Sequence, residues 1–162
     1  MLAGRLVRSF ALCAAVLLAQ APKPDFTGTW KIIPCQATVK TTYFHQIDLS
    51  ALALAPALPP FDRGPETIEQ QGDQFTVRGR TATIDAPETA SPAGEGLVRI
   101  SRTYWDANKL VTAWRLESAG KALIQCWETR RLSPSGKTQI VDTRIESPEK
   151  RRDSHSVFSK TR

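Results

Sequence analysis

The sequence predicts an all-β fold: an antiparallel up-and-down meander closing into a barrel of eight or nine strands, with a short helix or loop segment around residues 48–60. Three observations predict it. Short segments of alternating apolar and polar residues recur from residue 66 to the end, punctuated by turns rich in Gly, Pro, Asn and Ser. Helical periodicity is nearly absent after residue 60. The connections are short, so neighbouring strands run antiparallel, and a meander of that length leaves two exposed edges unless it curls shut.

The elements follow in order along the 162 residues. Arg5 and Arg8, the apolar run Phe10 to Leu18 and the small-residue site Ala19-Gln20-Ala21 form the pattern of a secretory signal peptide over residues 1–21. Residues 22–162 remain as a single domain, exported to the periplasm or the exterior after cleavage near Ala21. Gly28 to Ile33 reads as a first strand, stopped by Pro34. Residues 36–65 are irregular. Asp48 can cap a short helix from Leu49 to Ala55, which Pro56 ends. Glu66–Gln71 and Gln74–Gly79 flank Gly72-Asp73 as a hairpin, Arg80–Asp85 adds a strand, and residues 86–96 read as a loop. Longer strands follow at 97–105, 109–117, 121–132, 137–146 and 153–160, and Lys150-Arg151-Arg152 falls in an expected turn.

Alternation assigns faces. Leu110, Thr112, Trp114 and Leu116 share one face, as do Val141, Thr143 and Ile145. The strand 121–132 is ambiguous. Ile124 and Cys126 share parity with Glu128 and Arg130, which requires either a bulge or polar side chains pointing inward.

Three segments then carry a resemblance. Asp25-Phe26-Thr27-Gly28-Thr29-Trp30-Lys31, Trp105-Asp106-Ala107-Asn108-Lys109-Leu110-Val111, and the stretch from Trp127-Glu128 through Leu132-Ser133-Pro134-Ser135-Gly136-Lys137-Thr138 resemble exported bacterial lipocalin-like (calycin-type) β-barrel proteins of unassigned function. The resemblance covers residues 25–33 and 66–160. It implies a barrel that tends to bind ligands. It also implies that Trp30 packs at the closed end under a late-strand arginine, either Arg144 or Arg130.

The remaining chemistry is mostly exclusion. Cleavage removes Cys13 and leaves Cys35 and Cys126, which either bond in an oxidising compartment or stay as buried thiols. Closing so long a loop contributes roughly 4–5 kcal/mol. Two cysteines without a histidine cluster make no zinc site, and no cofactor is implied. His45 and His155 lie in no metal or catalytic spacing. Ser154-His155-Ser156 puts its serines and histidine on opposite faces of a strand, so no catalytic residue is assigned and an enzyme is not expected. No apolar run reaches the roughly 18–20 residues of a membrane helix, and arginine-studded strands argue against a membrane-embedded barrel. Aromatic residues do not interleave with basic ones as a nucleic-acid platform requires. Residues 96–162 carry seven more basic than acidic groups.

Two functions compete. In the first, the barrel binds a small, partly apolar ligand, lined by Leu110, Trp114, Leu116, Ile124, Val141 and Ile145 with Arg130 or Glu128 as polar anchor. The bland alternative is that these side chains simply fill the core. In the second, the apolar 49–61 segment and the basic carboxy-terminal half dock an envelope protein or an anionic surface.

Overall fold

Residues 22–43 and 64–161 are described by a computed structural model. They form eleven strands: β1 (Gly28–Ile32), β2 (Thr38–Tyr43), β3 (Glu66–Gln71), β4 (Gln74–Val77), β5 (Arg80–Thr83), β6 (Thr89–Gly94), β7 (Leu97–Asp106), β8 (Lys109–Ser118), β9 (Lys121–Leu132), β10 (Thr138–Glu146) and β11 (Lys150–Lys160). The only helical element among the described residues is the 3-10 turn Pro34–Gln36. The expected signal peptide, His45 and the expected helix at 49–55 lie outside the described residues, as does the 49–61 segment.

One sheet contains all the strands, in the order β5-β4-β3-β1-β11-β10-β9-β8-β7-β6, with β2 added on β11. Every strand pairing is antiparallel, as the short connections dictate. Two of the turns place both central residues at positive φ, Arg78-Gly79 and Ala119-Gly120. That geometry matches the right-handed twist of a hairpin.

The sheet curls until its β5 end reaches β7. Ile84, just past β5, bridges Thr103 of β7. Asp85 N–H donates to the Thr103 carbonyl at 2.8 Å, and the Asp85 carboxylate accepts from Trp105 N–H at 3.1 Å. The result is a lipocalin-like barrel whose ring passes from β5 round to β7, with β6 outside it and β2 pairing the length of β11 that β1 does not reach.

Strand length divides the barrel. β1, β3, β4 and β5 are four to six residues long, whereas β7 to β11 are nine to twelve. β1 meets only the end of β11, at residues 158–160. The short strands therefore complete the base, and the far half is walled by the long strands and β2.

Three local expectations are corrected. Residues 38–43 form β2, which pairs with residues 150–155 of β11. Residues 89–94 form β6 rather than loop. All six of its residues are exposed, so no alternation marks it. Lys150-Arg151-Arg152 begins β11 instead of sitting in a turn. The ambiguity in β9 resolves both ways: Glu128 and Arg130 do face inward, and the β8–β9 register slips at Leu116/Glu117.

Candidate functional site: the barrel interior

The register places the inward-facing side chains in layers. At the base, Phe26, Trp30, Ile68, Phe75, Ile84, Leu110, Val141 and Phe158 form one buried cluster. Trp30 is fully buried, and its indole N–H donates to the Phe26 carbonyl at 2.8 Å. Phe26 stacks on Trp105 at 6.2 Å and meets Phe75 edge-on at 6.3 Å. The base is therefore packed with rings and has the density of a core. The cation over Trp30 is Lys160, 5.5 Å from the ring centroid. Neither expected arginine takes that place. Arg144 is on the opposite face of its strand from Val141, and Arg130 lies 5.9 Å from the Phe75 ring.

An ion network caps the base. Arg130 donates from Nη1 to Glu66 Oε1 at 2.5 Å and from Nη2 to Glu128 Oε1 at 2.6 Å. Arg78 reaches Glu66 Oε2 at 3.1 Å, and Gln139 Nε2 donates to Glu66 Oε1 at 2.8 Å. Burial pushes the Glu66 carboxyl up, but Arg130 and Arg78 outweigh it and hold the group below the usual carboxylate range. Burial acts the opposite way on Arg130, where Glu128 and Glu66 prevail and keep it charged. Two guanidiniums face two carboxylates, so the cluster is internally neutral. A closed network of this kind positions strands and leaves little charge for a ligand.

Above the network lies a belt of hydroxyls. Thr103 of β7, Thr112 of β8, Thr143 of β10 and Ser154 of β11 are linked through cross-strand register at the level of Glu128. Thr103 and Thr112 share a hydrogen bond of 3.2 Å. Beyond the belt is a second apolar cluster, Trp114, Leu116, Ile124, Cys126 and Ile145, flanked by Leu97 and Leu123.

Arg99 crowns that cluster, its guanidinium 4.7 Å from the Trp114 ring centroid. Burial, and then the charge of Arg80, lower its pKa below the ordinary arginine value. Among the described residues no ion pair forms at Arg99. Arg78, Arg115, Arg130, Arg131, Arg144 and Arg151 each meet a carboxylate. The long-strand half of the barrel thus combines an apolar cluster, a row of hydroxyls and a half-buried cation with no carboxylate partner among the described residues.

The candidate liners fall into two groups. Leu110 and Val141 belong to the base, whereas Trp114, Leu116, Ile124 and Ile145 belong to the second cluster. Arg130 engages both Glu128 and Glu66, so it is a structural cation. Cys35 is exposed in the 3-10 turn and Cys126 is buried in the second cluster, so the two are not joined by a disulfide. Of the two alternatives, the bond is absent and the buried thiol holds for Cys126 alone: inward register on β9 aims Cys126 into the core, whereas Cys35 is exposed.

Sequence reasoning missed Glu66 and Arg99. Each carried a signal in its parity, Glu66 with Ile68 and Arg99 with Leu97 and Thr103. Among the described residues no group of three His, Cys, Asp or Glu can hold a metal, and no helix is long and apolar enough to cross a membrane.

The fold and interior define a lipocalin-like β-barrel. A solved structure agrees on the architecture. A secretory abundant heat soluble (SAHS) protein from Ramazzottius varieornatus superposes with a TM-score of 0.50 at 9% identity, over 88% of this chain and 98% of that one. Secretory abundant heat soluble protein 4 from the same organism gives 0.48 at 16% identity, over 87% and 97%. The REP1-NXSQ fatty acid transporter gives 0.43 at 12%, over 85% and 96%. The sequence matches no protein-family profile and no curated protein.

Proposed function

We propose that this is an exported binding protein that holds a small, partly apolar molecule with an anionic group in the long-strand half of its barrel. Arg99 carries the reading. A cation withdrawn from water without a counter-charge is costly, and an incoming carboxylate, sulfonate or phosphate would supply the missing partner. Trp114, Leu116 and Ile124 offer apolar contact beneath it, and the hydroxyl belt accommodates a polar substituent.

The test uses two probes of similar size. 1-Anilinonaphthalene-8-sulfonate is anionic, and N-phenyl-1-naphthylamine is neutral. The anionic probe should bind more tightly. Arg99→Ala should weaken it about tenfold, roughly 1.4 kcal/mol, and leave the neutral probe unchanged. Failure of both probes to bind the folded protein refutes the reading. Native mass spectrometry of protein taken from its own cell should show a carried molecule.

A further inference from the structure

Three of the four tryptophans have a covered ring. Lys160 lies over Trp30, Lys23 and Phe26 over Trp105, and Arg99 over Trp114. Among the described residues no cation or second ring covers Trp127, which is half-buried on the outer face of β9. Its cross-strand neighbour Arg144 turns away from it, with Nε 2.8 Å from Asp153 Oδ1.

This indole lines a groove of about 700 Å³ on the outside of the sheet. Register across β2, β11, β10 and β9 builds the groove from two rows. One is Lys40, Asp153, Arg144 and Trp127; the other is Thr38, His155, Asp142 and Thr129. Its three carboxylates each have a partner. Asp153 is held by Arg144 and by Arg151 at 3.0 Å, Asp142 meets His155 Nδ1 at 2.6 Å, and Glu146 lies 4.0 Å from Arg144. Charges of both signs alternate, so the groove selects neither a polyanion nor a polycation. A carboxylate has about four acceptor positions, so each of these can still accept from a ligand. With Nδ1 engaged, His155 has Nε2 left to offer.

A half-buried indole in a groove lined by anchored acceptors and threonine hydroxyls suits a neutral ring that is apolar on its faces and hydroxylated at its rim. We propose that the groove is a saccharide-binding site, in which Trp127 supports the face of a pyranose and Asp142 and Asp153 accept from its hydroxyls. The site lies on the opposite side of the sheet from the barrel interior, so it stands or falls independently of the barrel's ligand.

The experiment is an array of neutral oligosaccharides of two to six pyranose units, with the best hit titrated by calorimetry. Trp127→Ala should weaken binding at least tenfold, and Trp127→Tyr, which keeps a ring, should stay within about fivefold of wild type. Thr129→Arg, which fills the groove, should abolish binding, with thermal unfolding confirming that each variant is folded. The proposal is overturned if no neutral oligosaccharide binds at millimolar concentration. It is overturned equally if binding survives Trp127→Ala and Thr129→Arg, or if only acidic sugars bind and high salt releases them.

Discussion

Replacing Glu66 with glutamine keeps the side chain's shape and removes one charge from the network above the base. In the wild type Arg78 and Arg130 are balanced by Glu66 and Glu128. The substitution leaves two cations facing one anion. Arg130, with a side chain only 3% exposed, cannot turn to water and keeps Glu128 alone. The new amide can accept from Gln139 or Arg130, but its NH2 group must then face a guanidinium. Removing one partner of a buried pair costs about 3–5 kcal/mol. Because Glu128 remains in place, the lower end applies, about 3 kcal/mol. Set against the roughly 5–15 kcal/mol by which a domain is stable, that is a large fraction. Urea unfolding followed by tryptophan fluorescence and circular dichroism should show a midpoint lower by about 1–3 M, given a slope of about 1–3 kcal/mol/M. The loss should also depend on pH. Glu66 has a folded pKa below its ordinary 4.5, so its stabilisation is complete above the unfolded value and disappears as pH falls through the folded one. The gap between wild type and Glu66→Gln should be flat near neutrality and shrink below about pH 4.5. A loss under about 1 kcal/mol, or a gap that widens in acid, refutes the account.

Other substitutions probe other layers. Trp30→Ala removes a fully buried indole and its bond to Phe26, and thermal unfolding should report a loss of about 3–5 kcal/mol. Gly28→Ala forces a side chain onto φ +141 and places its Cβ 2.5 Å from Lys160 Cε, at a cost of roughly 1–3 kcal/mol in chemical denaturation. Arg144→Ala breaks an exposed pair with Asp153 and should change stability by less than about 1 kcal/mol. Iodoacetamide should label Cys35 in the native protein and reach Cys126 only after denaturation, whereas a disulfide would protect both.

The long strands were legible because their turns and their alternation agree. Leu110, Trp114 and Leu116 sit on one face, as Val141 and Ile145 do, and the structure turns all five inward. β6 was not legible because backbone pairing to β7 holds it while every side chain faces solvent. β2 was hidden for a related reason: Val39 shares register with inward Ser154 yet is 51% exposed near the open half. The three cations that open β11 look like a solvated turn, although Arg152 stands opposite Ile145 and Arg151 finds Asp153. The network above the base is a matter of distance along the chain. Glu66 and Arg130 are 64 positions apart, and no local pattern announces that they meet. Arg99 shows the converse. Its parity alone marks it as inward, but only the ring beneath it and the missing counter-charge distinguish it from Arg130.

The pairing of β1 with β11 has a consequence for assembly. Thr161 Oγ1 donates to the Thr29 carbonyl at 3.0 Å across 132 positions, whereas each hairpin from β7 to β11 closes between immediate neighbours in the chain. Local hairpins can form within microseconds of one another, while the long closure must wait. The segment that leaves the ribosome early is therefore the one that docks late, and until it does the rings of Phe26 and Trp30 are unshielded. A chaperone that guards the nascent chain would find its binding stretch there.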